Sequence, residues 1–133
     1  MTAKNCPGIA LMDRGYLSTL VFYTVMEEIR PGFSAQEVKR WVTESVGQTI
    51  LKPDYYIFID VPPAISQARA KAEGRPFDER NLWMTNTERM LSRYMEYFAT
   101  LEKNVPVIRF DGTMSLASLQ EELEKFISKL KSA

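Results

Sequence analysis

Three short apolar runs constrain the fold of this chain more than any other feature of its sequence. They are Gly8–Met12, Tyr55–Val61 and Pro106–Phe110, and none of them alternates cleanly between apolar and polar residues. Near-continuous apolar strands separated by helical segments are typical of a parallel sheet that is covered on both faces. The pattern therefore predicts an α/β fold with a parallel sheet of three strands.

Helical periodicity fills the segments between these runs. The predicted helices begin near Leu17, Ser34, Pro62, Leu82 and Ser115. The first is predicted to stop before Pro31-Gly32, and the second opens with the capping box Ser34-Ala35-Gln36-Glu37. About five helices, with no repeat and no low-complexity stretch, predict a single domain over residues 1–133.

Composition excludes several classes of function. Hydrophobic residues make up 45% of the chain, which is enough to build a core. Lys+Arg and Asp+Glu both number 17, and a neutral chain without a basic stripe argues against nucleic-acid polymers as partners. Because histidine is absent, acid–base chemistry would fall to carboxylates, Lys, Tyr or Cys.

The single cysteine and the N-terminal residues bear on localisation. Cys6 cannot form an internal disulfide, which suits a reducing compartment, and we interpret it as a neutral thiol. The apolar run that follows is too short for a signal peptide core or a membrane span. A cytoplasmic protein without membrane contact is expected.

An aspartate lies at the C-terminal end of each apolar run, either within it or directly after it. These residues are Asp13, Asp60 and Asp111. Ligands of open parallel sheets bind outside the carboxyl ends of the strands, so the three acids are expected along one functional edge. For each aspartate taken alone, helix capping or a solvated loop acid is the simpler interpretation.

The Asp13-Arg14 pair is the more informative of these features. At a strand end before a helix, the arginine can hold a phosphate with two parallel hydrogen bonds. The carboxylate can hold a magnesium-bound water or steer an attacking oxygen. A surface ion pair that caps the helix explains the same spacing equally well.

The sequence around this pair resembles thymidylate kinases. Asp13–Tyr23 reads Asp-Arg-Gly-Tyr-Leu-Ser-Thr-Leu-Val-Phe-Tyr, similar to the family's Asp-Arg-Tyr-x-x-Ser-x-x-Ala-Tyr-Gln. Pro53–Pro63 resembles the family's Pro-Asp-x-x-x-x-Leu-Asp-Val-x-Pro strand, and Gln67–Arg80 resembles its lid helix and lid. Val107–Leu119 resembles its last strand, turn and closing helix. Related deoxynucleoside kinases share parts of this pattern.

The resemblance implies a three-layer, P-loop kinase-like domain that is truncated at its N-terminus, with a lid at about residues 69–81. Asp13 and Arg14 would be catalytic, with Arg14 gripping the acceptor phosphate and Asp13 contacting Mg²⁺ through water. Ser18 and Tyr23 would lie on the acceptor side. The residues implied for ATP are Arg69, Arg75, Arg80, Gly112 and Thr113. A solvated charged loop is the alternative for the three arginines.

The chain departs from the family in its phosphate-binding loop and its substrate motif. No Gly-x-x-x-x-Gly-Lys-Ser/Thr occurs in the 133 residues, so most of the family's ATP-phosphate site has no counterpart. Gly15 replaces a tyrosine and Tyr23 replaces a glutamine, which leaves the preferred base open. The aromatic residues Tyr16, Phe22 and Tyr23 can stack on a base or form core.

The family's central strand also lacks a counterpart. A gap between Gly8–Met12 and Tyr55–Val61 would leave backbone groups unpaired. Three outcomes are possible: direct pairing of these strands, a second chain in the gap, or marginal stability. We expect direct pairing in the folded structure and marginal stability of the chain in solution.

Three hypotheses for function follow. In the first, the complete family member transfers the γ-phosphoryl of ATP to dTMP or a related monophosphate with Mg²⁺, and this chain alone is inactive or impaired. In the second, the chain is a non-catalytic nucleotide-binding or protein-interaction module. In the third, it is an unrelated small α/β protein. A homodimer is the assembly common in the family.

Overall fold

The computed structural model describes residues 8–46, 48–75 and 78–132 of the chain. Cys6 and the Pro76-Phe77 part of the predicted lid lie outside the described residues. The elements, in chain order, are α1 (Tyr16–Ile29), α2 (Gln36–Ser45), β1 (Tyr56–Asp60), α3 (Pro63–Ala72), α4 (Leu82–Thr85), α5 (Thr87–Ala99), β2 (Val107–Asp111) and α6 (Leu116–Ser132). The described chain is therefore a mixed α/β structure.

Two of the three predicted strands form a parallel pair. β1 and β2 run in parallel, with Tyr56 opposite Val107 and Asp60 opposite Asp111. Their bounds lie within one residue of the predicted runs. Parallel pairing of these two runs is confirmed.

The prediction of a strand at Gly8–Met12 is wrong, because residues 8–12 are outside any strand. A strand needs a neighbour for its N–H and C=O groups, and β1 is paired only with β2 among the described residues. Leu11 and Met12 are 70% and 65% exposed, so the run is not a buried strand. The expected direct pairing of Gly8–Met12 with Tyr55–Val61 is wrong for the same reason.

The helix predictions hold with two exceptions. The capping box predicted at Ser34-Ala35-Gln36-Glu37 is not formed, because Ala35 is the N-cap of α2 and no side chain of the described residues caps this helix. The helix predicted from near Leu82 is divided in two. α4 ends at Thr85, and Asn86 leaves helical geometry with φ −124° and ψ 28°. Asparagine competes for backbone hydrogen bonds and favours helix ends. The Asn81 side chain caps α4 by accepting from Trp83 N and Met84 N.

The chain divides into two compact units. The helical unit comprises the described residues of 11–54 and 78–105, with α1, α2, α4 and α5. Its buried apolar side chains come mainly from α1; the full set is Tyr16, Leu17, Leu20, Val21, Val25, Met26, Ala35, Val42, Met90 and Val105. This unit therefore has a packed core of its own.

The sheet unit comprises the described residues of 8–10, 55–77 and 106–133, with β1, β2, α3 and α6. Phe126 of α6 packs edge-on against Phe110 of β2 and Tyr55, with ring centroids 6.1 and 6.0 Å apart. Gly112 is the only residue of this unit's described part that is buried. No helix in the described residues is long and apolar enough to cross a membrane.

Candidate functional site

Asp13 and Arg14 lie immediately before α1, and both are exposed. Arg14 has a left-handed backbone, with φ 63°, and Gly15 follows in extended geometry as the N-cap residue. In the described structure, no side chain caps this helix and its first turn contains no acidic residue. A helix N-terminus of this kind favours anions through its N–H groups and its dipole.

The Arg14 side chain lies on an aromatic group. Its guanidinium carbon is 4.8 Å from the centre of the Trp83 ring. Trp83 stacks on Phe22 with centroids 5.8 Å apart and an interplanar angle of 29°. Phe22 meets Tyr23 edge-on, and Tyr23 stacks on Phe33 at 5.8 Å. The predicted phosphate residue and the predicted base-side residue therefore belong to one continuous cation–aromatic group.

The exposure of the aromatic residues bears on the two roles predicted for them, which are stacking on a base and forming core. Phe22 and Tyr23 are only half-buried, so each keeps part of its ring at the surface. Tyr16 is buried at 8% exposure and belongs to the core. Trp83 was missed by the sequence analysis, since nothing in the local pattern links it to a residue almost seventy positions earlier.

Ser18 occupies a helix–helix contact. Its hydroxyl and the Tyr94 hydroxyl are 2.5 Å apart, joining α1 to α5. The half-buried Ser18 hydroxyl thus has a structural partner. Its implied place on the acceptor side stays a prediction.

In the sheet unit, Asp60 and Asp111 lie opposite each other at the carboxyl ends of β1 and β2. Their placement on one sheet edge is confirmed, whereas Asp13 does not follow a strand. The pKa of Asp111 is lowered, first by the Thr113 hydroxyl at 2.5 Å and then by the Thr113 N–H at 2.9 Å. The positive charge of Arg69 adds to this shift.

Gly112 connects this edge to α3. Its N–H donates to the Asp60 carbonyl at 2.9 Å. Its own carbonyl accepts from Arg69 Nη1 at 2.6 Å. A Cβ at this position would lie 2.8 Å from Ile59 Cγ2 and 3.0 Å from the Asp60 carbonyl. The structure therefore brings together Arg69, Gly112 and Thr113, three of the residues implied for ATP.

The other two arginines of the predicted lid form local ion pairs. Arg75, after α3, pairs with Glu73 and remains largely exposed. Arg80, in the helical unit, pairs with Asp78 at 3.3 Å while its side chain is 93% exposed. These contacts fit the solvated-loop alternative as well as a lid, so the lid stays a prediction.

The described residues contain no group of three or more Asp, Glu, His or Cys that could hold a metal ion. Mg²⁺ in nucleotide sites needs only one or two carboxylates, because phosphates and waters complete its shell. Asp13 is exposed, and its water-mediated contact with Mg²⁺ stays a prediction. When bound with a nucleotide, Mg²⁺ would neutralise phosphate charge.

Comparisons with protein-family models, curated proteins and solved structures find no match to this chain. The resemblance to thymidylate kinases thus depends on the motifs alone, and the class that the structure defines is a mixed α/β protein.

Proposed function

We propose that the helical unit binds a nucleoside monophosphate, with the phosphate on Arg14 and the base on the half-buried aromatic residues beside it. The arrangement of Arg14 over Trp83, next to Phe22 and Tyr23, is the observation that carries this proposal. In the complete kinase implied by the motifs, this nucleotide is the acceptor of the ATP γ-phosphoryl.

The chemistry of Arg14 suits a phosphate. Arginine stacks on aromatic faces and also presents a planar fork of donors that matches phosphate oxygens. Contact with the Trp83 ring restricts the side chain before a ligand arrives, which lowers the ordering penalty on binding. The uncapped N-terminus of α1 adds a favourable field for a dianion.

The aromatic residues suit a nucleobase. Base–aromatic stacking contributes about 1–3 kcal/mol per base and tolerates any base. Tyr23 supplies a phenol, both donor and acceptor, where the family has glutamine. We therefore place the base at Phe22 and Tyr23, with dTMP or a related monophosphate as the ligand.

Calorimetric titration with dTMP, and with thymidine as the ligand lacking phosphate, tests this assignment. We expect dTMP to bind more tightly than thymidine. Arg14→Ala should weaken dTMP binding by about 1.5–3 kcal/mol, the contribution of a charge-assisted hydrogen bond, and leave thymidine binding little changed. Arg40→Ala removes the same charge from an exposed position of α2 and serves as the matched control.

Equal weakening by Arg14→Ala and Arg40→Ala would reject the phosphate assignment. A coupled ADP-release assay with ATP, dTMP and Mg²⁺ then separates binding from phosphoryl transfer. Binding without ADP release would favour the non-catalytic alternative, in keeping with the missing phosphate-binding loop motif.

The sheet unit favours a protein-interaction module as a second candidate function. Tyr55, Ile57 and Ile59 are 44%, 36% and 42% exposed, on a two-stranded parallel sheet. Parallel sheets normally have both faces covered. Light scattering after size-exclusion chromatography tests self-association, and Ile59→Lys should abolish it if these residues form the interface.

A further inference from the structure

Asn81 is an exposed residue of the helical unit that the proposed function does not use. Its side-chain oxygen accepts from Trp83 N at 3.0 Å and from Met84 N at 3.3 Å, so it caps α4. Its own N–H donates to the Asp78 carbonyl at 3.0 Å, which ties the preceding residues to the same turn. These bonds fix the start of α4.

The cap matters more for α4 than it would for a longer helix. α4 contains four residues, and none of them is buried. A helix this short is not stable by itself, because few hydrogen bonds offset the cost of ordering the first turn. An asparagine N-cap satisfies backbone N–H groups that lack a partner within the helix, and alanine cannot replace it. Loss of the Asn81 side chain should therefore let α4 open locally.

Trp83 connects this cap to the proposed phosphate site. Its backbone N–H is bonded to Asn81, and the centre of its ring is 4.8 Å from the guanidinium carbon of Arg14. The same ring stacks on Phe22 with centroids 5.8 Å apart. One residue therefore joins the N-cap of α4 to the side chain that would bind phosphate.

Arg14 depends on a support of this kind. The residue is exposed and has a left-handed backbone, with φ 63°. Non-glycine residues in this conformation are strained, and they concentrate at active sites and ligand-binding sites. A long, exposed arginine side chain also loses rotamer freedom when it binds a ligand, and contact with the Trp83 ring removes part of that loss in advance.

We infer that Asn81 is a positioning residue for the phosphate, because through α4 it holds Trp83 against Arg14. This inference rests on the proposed binding of a nucleoside monophosphate, and Asn81 itself does not touch the ligand. When α4 opens, only the molecules that keep Arg14 in place bind the phosphate well. The apparent affinity then falls in proportion to the fraction of such molecules.

Calorimetric titration of the full chain with dTMP and with thymidine tests this role. Asn81→Ala should weaken dTMP binding about three- to tenfold and thymidine binding much less. Asn81→Ser retains a good N-cap and should bind dTMP like the wild type. Asn104→Ala, at an exposed position of the same unit outside any helix or strand, is the matched control and should change neither affinity. Equal dTMP affinities for the Ala and Ser variants at Asn81 would overturn the inference.

Trp83 fluorescence measures the same step without a ligand. The chain has two tryptophans, so Trp41→Phe leaves Trp83 as the only one. In this background, Asn81→Ala should make Trp83 more accessible to quenching by acrylamide, whereas Asn81→Ser should not. Unchanged quenching in the Asn81→Ala variant would reject the inference even if dTMP binding were weakened.

A double variant separates this route from a general loss of structure. If Asn81 acts through Arg14, Asn81→Ala should not weaken dTMP binding further when Arg14 is already alanine. Additive losses would overturn the inference. A wild-type chain that binds dTMP no better than thymidine would reject the proposed function, whereas a preference for dTMP that Asn81→Ala leaves unchanged would reject the positioning role alone.

Discussion

The helical unit and the sheet unit bury their apolar residues to different extents. Val21 and Val25 of the helical unit are completely buried, and α1 contributes most of the core around them. In the sheet unit, none of the four elements contains a buried residue. The apolar runs that most clearly predicted the fold thus form the less buried part of the described chain.

This difference bears on stability. Apolar burial contributes about 25 cal/mol per Å², so the helical unit has the larger hydrophobic stabilisation. A two-stranded sheet is marginal unless other elements cover it. Regions with few buried apolar contacts open locally at lower free energy, so we expect the sheet unit to lose structure first.

The largest expected effect comes from matched leucine truncations in the two units. Leu20, 2% exposed in α1, and Leu116, 79% exposed in α6, lose the same atoms on mutation to alanine. Leu20→Ala should lower the free energy of unfolding by about 2–5 kcal/mol because it opens a core cavity. Leu116→Ala should change it by less than about 0.5 kcal/mol.

Urea denaturation followed by circular dichroism measures both changes. Similar losses for the two variants would mean that Leu116 is buried in solution. The contrast between the units would then be wrong.

A smaller loss in the free energy of unfolding is expected from Gly112→Ala. The new methyl group would contact Ile59, Val61 and the Asp60 carbonyl more closely than packing allows. Overpacking of this kind costs about 1–3 kcal/mol. Hydrogen exchange at the β1 and β2 amides should accelerate, while the α1 amides keep their protection.

Gly15→Ala is the matched control, since its Cβ would meet only Met12 Sδ at 3.6 Å. Its effect on exchange should be slight and confined to the start of α1. Unchanged exchange in β1 and β2 for Gly112→Ala would show that Ile59 and Val61 move aside without loss of the sheet.

The predictable part of the fold is the part that local chemistry determines. The helix α1 was predicted from its apolar spacing and its Pro31-Gly32 stop, and it ends at Ile29. The parallel pairing placed Asp60 opposite Asp111, as the carboxyl-edge argument requires. The first result depends on helical periodicity and the second on near-continuous apolar runs, and both signals lie within short segments.

Other features depend on contacts that sequence patterns do not contain. An apolar run such as Gly8–Met12 becomes a strand only if a neighbour accepts its hydrogen bonds. The contact of Arg14 with Trp83 and the burial of Glu102 arise from packing between distant segments. Motif spacing predicted Arg14 as a site residue, but its aromatic partner required the structure.

The smallest expected effect concerns the titration of Asp111 at the sheet edge. Its pKa is lowered from 3.8, chiefly by the Thr113 hydroxyl. A lowered folded-state pKa contributes stability above the unfolded value, and this contribution is lost as the pH falls through the folded value. Thr113→Val removes the hydroxyl, so the Asp111 pKa should rise towards 3.8 while the Thr113 N–H bond keeps part of the shift. Thr113→Ser retains a hydroxyl, so Asp111 in this variant should titrate as in the wild type when followed by carboxyl ¹³C NMR. Equal Asp111 pKa values in the Val and Ser variants would assign the shift to the backbone N–H and Arg69 instead.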